Sequence, residues 1–369
     1  MKSYLRLVSI IAFVALAACT PRGILTFYPA AESIGKVQTV FVSTTRQVEP
    51  DGKISHKRAA KASFFRYDIS VPPLHEVGEV DWPRGKPDPM RDFLTTGFSR
   101  FSDGNSFTAN LAKALRAHPK GQREVVVFVH GFNNNFAEGL YRLAQLSYDM
   151  DLQNPTVHYS WPSAGNPLGY AYDRDSALFA RDGLENLLHM VRDAGADQIL
   201  LVGHSMGAFL TVEALRQMSI SDNAEMRRMI SGVILISPDI DVDLFRQQAT
   251  RIDPLPQPFV IFTSKKDRAL RLAARLSGKR ERLGNVQDIS ELADLKVTLF
   301  DVTEFSNGIT GHFNAATSPA LLKILKRMHN LDAAFRNDQA GRAGLIPGTI
   351  LTVQKATQVI LSPVSALSQ

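Results

Sequence analysis

The sequence contains a single cysteine among 369 residues, and this scarcity excludes several kinds of site. Cys19 has no second cysteine with which to form an internal disulfide. The nine histidines are scattered, and neither an H-E-x-x-H motif nor paired C-x-x-C motifs occur. A phosphate-binding G-x-x-x-x-G-K-[ST] loop is also absent. We therefore expect chemistry that requires no metal ion and no other cofactor.

The sequence also lacks a block of basic residues. The net charge of +6 is spread along the chain, so we expect no nucleic-acid partner. Apolar residues make up 44% of the chain and charged residues 21%, which is typical of a globular protein with a sizeable core. The short apolar stretches near the C-terminus do not approach the roughly twenty residues that a membrane-spanning helix needs.

The first nineteen residues are typical of a targeting signal. Two basic residues precede an apolar run over residues 7–18, which is too short to span a bilayer. The run ends in Leu-Ala-Ala-Cys at Cys19, which resembles the lipobox of bacterial lipoproteins. The resemblance implies that residues 1–18 are removed and that lipid on Cys19 anchors the domain in the bacterial cell envelope. Thr20, rather than Asp, favours the outer membrane by analogy. An ordinary signal peptide or a short anchor helix are the alternatives.

Hydrophobic periodicity predicts one large α/β domain over residues 37–331. A lipidated N-terminus and tether over 19–36 precede it, and a tail over 332–369 stays unassigned. From Glu124 onward, apolar strands alternate with amphipathic helices, which predicts a mostly parallel, doubly wound sheet with helices on both faces. The predicted strands are 37–45, 62–71, 125–129, 157–161, 199–202, 233–236, 259–263 and 297–302. Residues 72–106 are predicted as loop, and the predicted helices are 107–118, 136–150, 172–194, 206–218, 242–250, 268–276 and 319–328.

A G-x-S-x-G motif at residues 203–207 lies between a predicted strand and a predicted helix. In that setting the motif forms a nucleophile elbow, a tight turn that projects the serine hydroxyl at the carboxyl end of the sheet. Glycine on either side lets neighbouring backbone approach without a β-carbon in the way. Ser205 is therefore the candidate nucleophile, and a tight turn without chemistry is the alternative.

A serine hydroxyl needs a base to take its proton, and in this arrangement the partners follow in the order serine, acid, histidine. Only His312 and His329 come after Ser205. His329 falls within a predicted terminal helix, where a solvated surface residue is the simpler interpretation. His312 lies in a loop about ten residues beyond the last predicted strand, so we predict His312 as the general base.

Three aspartates at carboxyl ends of strands are candidates for the acid, which is where sites in open α/β sheets lie. Asp267 follows the strand at 259–263, whereas Asp239 and Asp241 follow the preceding one. The usual pattern takes the acid from the later position, which favours Asp267. For the earlier pair we expect helix capping near residue 242.

The loop after the strand 125–129 carries His130, Gly131 and Phe132. Such a loop supplies one backbone N–H of an oxyanion hole, and the residue after the nucleophile supplies the other. We therefore predict Phe132 and Met206 as the oxyanion donors. His130 and His204 are expected to pack or hydrogen-bond locally rather than to act in catalysis.

Several further motifs occur in a fixed order along residues 35–330. Together they resemble a bacterial family of α/β hydrolases of unknown function in the esterase/lipase superfamily. The resemblance implies a carboxylic-ester hydrolase and supplies no substrate. Trp161 could line an acyl pocket or belong to the core, and the 172–177 segment has no assigned chemistry. The motifs are Val-His-Gly-Phe-Asn-Asn at 129–134, Tyr-Ser-Trp-Pro-Ser at 159–163, Tyr-Asp-Arg-Asp-Ser-Ala at 172–177, the elbow at 203–207 and Pro-Asp-Ile-Asp at 238–241.

Three functions remain open at this point. The first is a membrane-anchored hydrolase that cleaves a carboxylic ester or thioester of a small molecule or lipid through an acyl-enzyme on Ser205. The second is an acyltransferase of the same fold, in which an alcohol replaces water. The third is a non-catalytic envelope lipoprotein that uses the scaffold for binding. The oligomeric state is not indicated by the sequence.

Overall fold

The computed structural model describes residues 22–221, 224–278, 281–292, 294–305, 317–319, 322, 349–354 and 358–363. These residues form an 11-stranded sheet with the order β11-β10-β9-β8-β7-β6-β4-β5-β1-β2-β3. The strands are β1 Lys36–Val48, β2 Ile54–Val71, β3 Leu94–Phe101, β4 Glu124–Val129, β5 Thr156–Ser160, β6 Gln198–His204, β7 Ile230–Ile236, β8 Phe259–Thr263, β9 Thr298–Asp301, β10 Thr349–Gln354 and β11 Gln358–Pro363.

The predicted α/β architecture is confirmed. Strands β4 to β9 pair in parallel, and β1 joins β5 in parallel on one side. Among the described strands the antiparallel pairings are β1 with β2, β2 with β3 and β10 with β11. The central strand β4 is buried along its whole length, as expected of a strand covered on both faces.

Helices cover both faces of the sheet and create two core clusters. Val127 of β4 packs in the cluster with Leu187 and Phe209, whereas Phe128 packs on the opposite face with Phe136 and Leu140. Successive strand side chains point to opposite faces, which explains this division. The helices are α1 Gly104–Leu115, α2 Phe136–Asp149, α3 Tyr170–Phe179, α4 Arg181–Asp193, α5 Met206–Ile220, α6 Ala224–Met229, α7 Val242–Ile252 and α8 Arg268–Leu276.

Several parts of the secondary structure differ from the prediction. The loop predicted over 72–106 contains β3, which pairs with β2 at the edge of the sheet. The single helix predicted over 172–194 is divided at Ala180 into α3 and α4. The unassigned tail contributes β10 and β11, and β10 extends the parallel sheet beside β9. Most of the helix predicted over 319–328 lies outside the described residues.

The residues predicted as a tether pack on the domain from Arg22 onward. Gly23 donates its N–H to the carboxylate of Glu138, and Thr26 donates to the Tyr141 hydroxyl. Further on, backbone hydrogen bonds join residues 26–28 to Thr95 of β3. Within the described part of the chain, no helix is long and apolar enough to cross a membrane.

Candidate active site

Ser205 occupies a strained turn between β6 and α5. Its φ is 53° and its ψ is −120°, a conformation that side-chain-bearing residues rarely adopt. The flanking glycines are required by space: a β-carbon on Gly207 would lie 2.2 Å from the His130 carbonyl oxygen, and one on Gly203 would lie 2.8 Å from the Ala208 Cα. The predicted elbow geometry is therefore present at this serine.

The neighbouring strand β7 holds the elbow through its backbone. Ser205 donates its N–H to the Ile236 carbonyl at 2.9 Å, and its own carbonyl accepts the Asp239 N–H at 3.1 Å. Both partners lie at the carboxyl end of β7. The turn is thus fixed on both sides of the nucleophile position.

The loop after β4 lies directly against the elbow. A β-carbon on Gly131 would lie 2.9 Å from the Ser205 Cβ and 2.5 Å from the His204 Nδ1. Only glycine allows this approach. The next residue is Phe132, and neither its N–H nor that of Met206 donates a hydrogen bond to any described residue. Met206 begins α5, where the first N–H groups have no partner within the helix.

Arg46, near the carboxyl end of β1, is hydrogen-bonded to this loop. The buried guanidinium donates to the Asn134 and Ser163 carbonyls, each at 2.9 Å, and to the Ser160 Oγ at 3.0 Å. Burial lowers the pKa of Arg46 to about 10, so it stays charged at neutral pH. One cation therefore ties the loop after β4 to the loop after β5.

Asp173, in the motif segment without assigned chemistry, joins the same two loops. Its carboxylate accepts the Asn133 N–H at 3.3 Å, the Ala164 N–H at 2.6 Å and the Ser163 hydroxyl at 2.5 Å. Asn133 has a φ of 57°, so the chain turns sharply immediately after Phe132. Burial raises the pKa of Asp173, and the hydrogen bonds that it accepts oppose that rise.

His130 and Trp161 pack against each other beneath the loop. Their rings stack with centroids 5.0 Å apart, and the Trp161 indole N–H donates to the His130 carbonyl at 2.6 Å. Burial, followed by the nearby Arg46 charge, lowers the pKa of His130 to about 3. His130 is therefore neutral at neutral pH. Trp161 is fully buried, which agrees with the packing interpretation rather than the pocket wall.

The three candidate carboxylates have different surroundings. Asp267 is fully buried at the end of β8 and accepts the Leu270 N–H at 2.9 Å, which caps α8. Asp241 caps α7 by accepting the Leu244 N–H at 3.2 Å, as predicted. Asp239 does not cap that helix, contrary to the expectation for the pair.

Asp239 instead belongs to a buried ion pair that sequence analysis did not predict. Its carboxylate accepts the Tyr170 hydroxyl at 2.9 Å and lies 3.2 Å from the Arg282 Nε. Burial and the Asp239 charge raise the pKa of Tyr170 to about 12. The Tyr170 ring contacts the Phe132 ring edge to face, with centroids 5.5 Å apart. Asp239, whose N–H is hydrogen-bonded to the Ser205 carbonyl, is therefore linked through Tyr170 to Phe132 in the loop after β4.

Two predicted residues, Cys19 and His312, lie outside the described residues, as does His329. Among the described residues, no cluster of His, Cys, Asp or Glu could hold a metal ion. A cavity of about 230 Å³ is lined by Thr39 and Thr156, at the amino ends of β1 and β5. It lies at the opposite edge of the sheet from Ser205, so we assign no substrate to it.

Solved structures with similarity to this chain include esterases and a putative hydrolase. One of two fungal esterases from Rhizomucor miehei matches with a TM-score of 0.37 and 13% identity, over 84% of this chain and 87% of the esterase. A putative hydrolase from Agrobacterium vitis matches with a TM-score of 0.34 and 10% identity, over 80% and 98%. The esterase Est2 from Thermogutta terrifontis matches with a TM-score of 0.32 and 11% identity, over 81% and 95%.

Sequence comparison adds a short match and a family. An uncharacterized protein of Nostoc sp. is 36% identical over 63 residues, which are 17% of this chain and only 16% of that protein. Residues 103–328 match the model of a family described as alpha/beta hydrolase of unknown function (DUF900). The matched segment is more than half of the chain and includes the elbow at Ser205. The protein therefore belongs to this family of α/β hydrolases.

Proposed function

We propose that this α/β hydrolase is a serine esterase that cleaves a carboxylic ester or thioester through an acyl-enzyme on Ser205. The observation that carries the proposal is the strained turn at Ser205, with a φ of 53° and space for nothing larger than glycine at 203 and 207. A scaffold used only for binding has no need of such a turn, because its cost is repaid when a hydroxyl must project toward a substrate.

The first chemical step is attack of the Ser205 Oγ on the ester carbonyl carbon. The carbonyl oxygen then takes up negative charge, and the Phe132 and Met206 N–H groups would donate to it. Two features support this role: Gly131 brings the loop into contact with the elbow, and neither N–H donates elsewhere among the described residues. Arg46 and Asp173 would act as positioning residues, because they fix the backbone that follows Phe132.

The proton of the Ser205 hydroxyl would pass to His312, and Asp267 would orient that imidazole. His312 returns the proton to the leaving alcohol or thiol, and water then releases the acyl group by the same route in reverse. Chain topology is compatible with this assignment. Val302, ten residues before His312, donates its N–H to Thr263 at the end of β8, and Asp267 follows four residues later. Asp239 is already engaged by Tyr170 and Arg282, which favours Asp267 as the acid.

We further propose that lipid on Cys19 anchors the enzyme in the bacterial cell envelope, with the outer membrane favoured. The support is the lipobox-like ending of the apolar run before Cys19. Replacing Cys19 with serine should release an intact domain from the membrane fraction. An unmodified Cys19 in the mature protein, established by mass spectrometry, would contradict the anchor while leaving the catalytic proposal standing.

The catalytic proposal is tested by ester hydrolysis with purified, chelator-treated enzyme. A series of aryl esters of increasing acyl length should be hydrolysed at a rate that added zinc or magnesium does not raise. Ser205→Ala and His312→Ala should each reduce kcat by up to about 10⁶. Activity that returns only with a metal ion, or that survives in Ser205→Ala, would refute the mechanism.

A further inference from the structure

Arg22, the first described residue, lies at the edge of the sheet that carries the candidate active site. The Arg22 guanidinium donates to the Asn133 side-chain oxygen at 3.0 Å and to the Asn133 carbonyl at 2.9 Å. It also pairs with Glu138, in the first turn of α2, at 2.7 Å. The start of α2 follows the carboxyl end of β4, which is the edge where Ser205 lies.

From Arg22 the chain runs away from that edge. Gly23 contacts Glu138 at the start of α2, Thr26 contacts Tyr141 one turn further along the helix, and residue 28 reaches β3. Because α2 itself runs away from the carboxyl edge, the described part of the N-terminal segment begins at that edge, with Arg22. The contact residue Asn133 is only one residue beyond Phe132 and two beyond Gly131, which touches the elbow.

Cys19 precedes Arg22 by three residues. A fully extended chain of that length spans at most about 11 Å. The Cα of a lipidated Cys19 would therefore be held within about 11 Å of the Arg22 Cα, and the Arg22 side chain contacts the loop after β4. Such a short connection leaves the domain little freedom to turn a different face toward the bilayer.

The same edge exposes apolar side chains. Leu168 is 92% exposed in the loop between β5 and α3. Gly165, in that loop, lies so near Arg22 that a β-carbon on it would be 3.2 Å from the guanidinium. Ile24 is also 67% exposed in the N-terminal segment. An exposed leucine and isoleucine beside an anchored chain end suit a lipid surface, since each would gain by leaving water.

We propose that the anchor holds the carboxyl edge of the sheet, with Ser205, against the bilayer in which Cys19 is inserted, so that the substrates are acyl esters resident in that bilayer. This inference rests on the proposed serine esterase function and on the proposed lipid anchor. In this arrangement the face around Leu168 is covered by the lipid surface. A second copy of this chain is the rival occupant.

Orientation is tested without activity by a fluorophore on a single added thiol. The full-length lipidated protein with Leu168→Cys is labelled and reconstituted into phosphatidylethanolamine and phosphatidylglycerol vesicles that contain a nitroxide-labelled lipid. Ile220→Cys is the matched control, because Ile220 is 50% exposed at the end of α5, on the opposite edge of the sheet. The label at position 168 should be quenched at least about threefold more strongly, since quenching needs contact with the acyl region.

Equal quenching at the two positions, or stronger quenching at 220, would overturn the orientation. A spectral shift at 168 that depends on protein concentration without vesicles would also overturn it, in favour of a second copy on this face. Both results are independent of catalysis.

The substrate class is tested by lengthening the connection to the anchor. A flexible insertion of about twenty Gly and Ser residues before Arg22 allows the domain to move roughly 25 Å from the membrane. Hydrolysis of a water-soluble aryl ester should stay within about twofold of wild type, whereas hydrolysis of an ester lipid in the same vesicle should fall about tenfold because effective concentration is lost. An unchanged vesicle rate would overturn the inference. If wild type fails to hydrolyse the aryl ester, the catalytic proposal fails, and the quenching experiment still decides the orientation.

Discussion

A β-carbon on Gly131 would lie 2.9 Å from the Cβ of Ser205. The loop after β4 and the nucleophile elbow are therefore in direct contact, and residue 131 sets the distance between them. Because Phe132 follows immediately, the position of its N–H relative to the Ser205 hydroxyl depends on this contact. Gly131 is therefore one point at which the two halves of the candidate site meet.

Replacing Gly131 with alanine should lower kcat by about 10² to 10³, because the loop must move away from Ser205 and carry the Phe132 N–H with it. The change should be read in kcat on a soluble aryl ester, with the fold checked by circular dichroism. Gly85→Ala is the matched control, since no atom lies within 4 Å of a β-carbon at that position. Full activity in Gly131→Ala would show that the position of the loop after β4 does not matter for catalysis.

Replacing Asp173 with asparagine should lower kcat about tenfold or more with little change in KM. The reason is that a displaced Phe132 N–H would stabilise the transition state less well without weakening the binding of the substrate. One carboxylate oxygen of Asp173 accepts the Ala164 N–H and the other accepts the Asn133 N–H, so the amide nitrogen of asparagine would leave one of the two N–H groups without its acceptor. Asp175→Asn, an exposed change on the same helix, is the control. A rise in KM at constant kcat would indicate a substrate contact instead of a positioning role.

The identity of the acid is tested by three substitutions. Asp267→Asn should reduce kcat by about 10⁴ with the fold retained, because the imidazole would lose its orienting carboxylate. Asp241→Asn should change it less than tenfold, since asparagine also caps helices. Asp239→Asn breaks a buried ion pair and should cost about 3–5 kcal/mol of unfolding free energy. If Asp267→Asn keeps its activity while a folded Asp239→Asn loses it, the acid is carried by β7.

Acid should destabilise the fold through His130. The pKa of His130 is lowered to about 3 in the folded protein, so between that value and its unfolded pKa the unfolded chain binds the extra proton. The free energy of unfolding therefore contains the full contribution of neutral His130 above about pH 6.5. It decreases as pH falls, by about 2 kcal/mol at pH 5 for this group alone. Burial also lowers the pKa of His158, which adds to the effect.

Denaturant unfolding at pH 7 and pH 5 measures that dependence. Between pH 7 and pH 5, the free energy of unfolding of His130→Gln should fall by about 2 kcal/mol less than that of wild type. His56→Gln, at an exposed position, should behave as wild type. A wild-type pH dependence in His130→Gln would show that the buried imidazole is not its source.

Sequence predicted the parts of the fold that depend on local patterning. The Val-rich strand β4 and the elbow at Ser205 follow from hydrophobic runs and glycine spacing, and the bounds of β8 and α8 agree with the prediction. Strand β3 was missed, because it is a short edge strand within a Pro-, Gly- and charge-rich stretch, and it contains Gly97. The break at Ala180 was missed because both helices share one apolar periodicity.

The supporting residues of the site could not be predicted in the same way. Arg46 and Asp173 lie 127 residues apart in sequence and converge only because β1 pairs with β5 and α3 follows β5. Arg282 forms its ion pair with Asp239 from a loop position that follows α8, where no sequence pattern indicated a partner. The one available signal was the 172–177 motif, which sequence analysis noted without a role. The prediction of helix capping was right for Asp241 and wrong for Asp239. The two aspartates follow the same strand two residues apart, so the sequence did not distinguish them.

The most direct measurement is identification of the residue that a fluorophosphonate modifies. The full-length enzyme is treated with the probe, digested, and examined by mass spectrometry, with aryl ester hydrolysis followed in parallel. The proposed mechanism predicts a single adduct on Ser205, loss of hydrolysis in proportion to labelling, and no labelling of Ser205→Ala. Labelling of another residue with loss of activity, or complete hydrolysis by an enzyme that the probe does not modify, would contradict it.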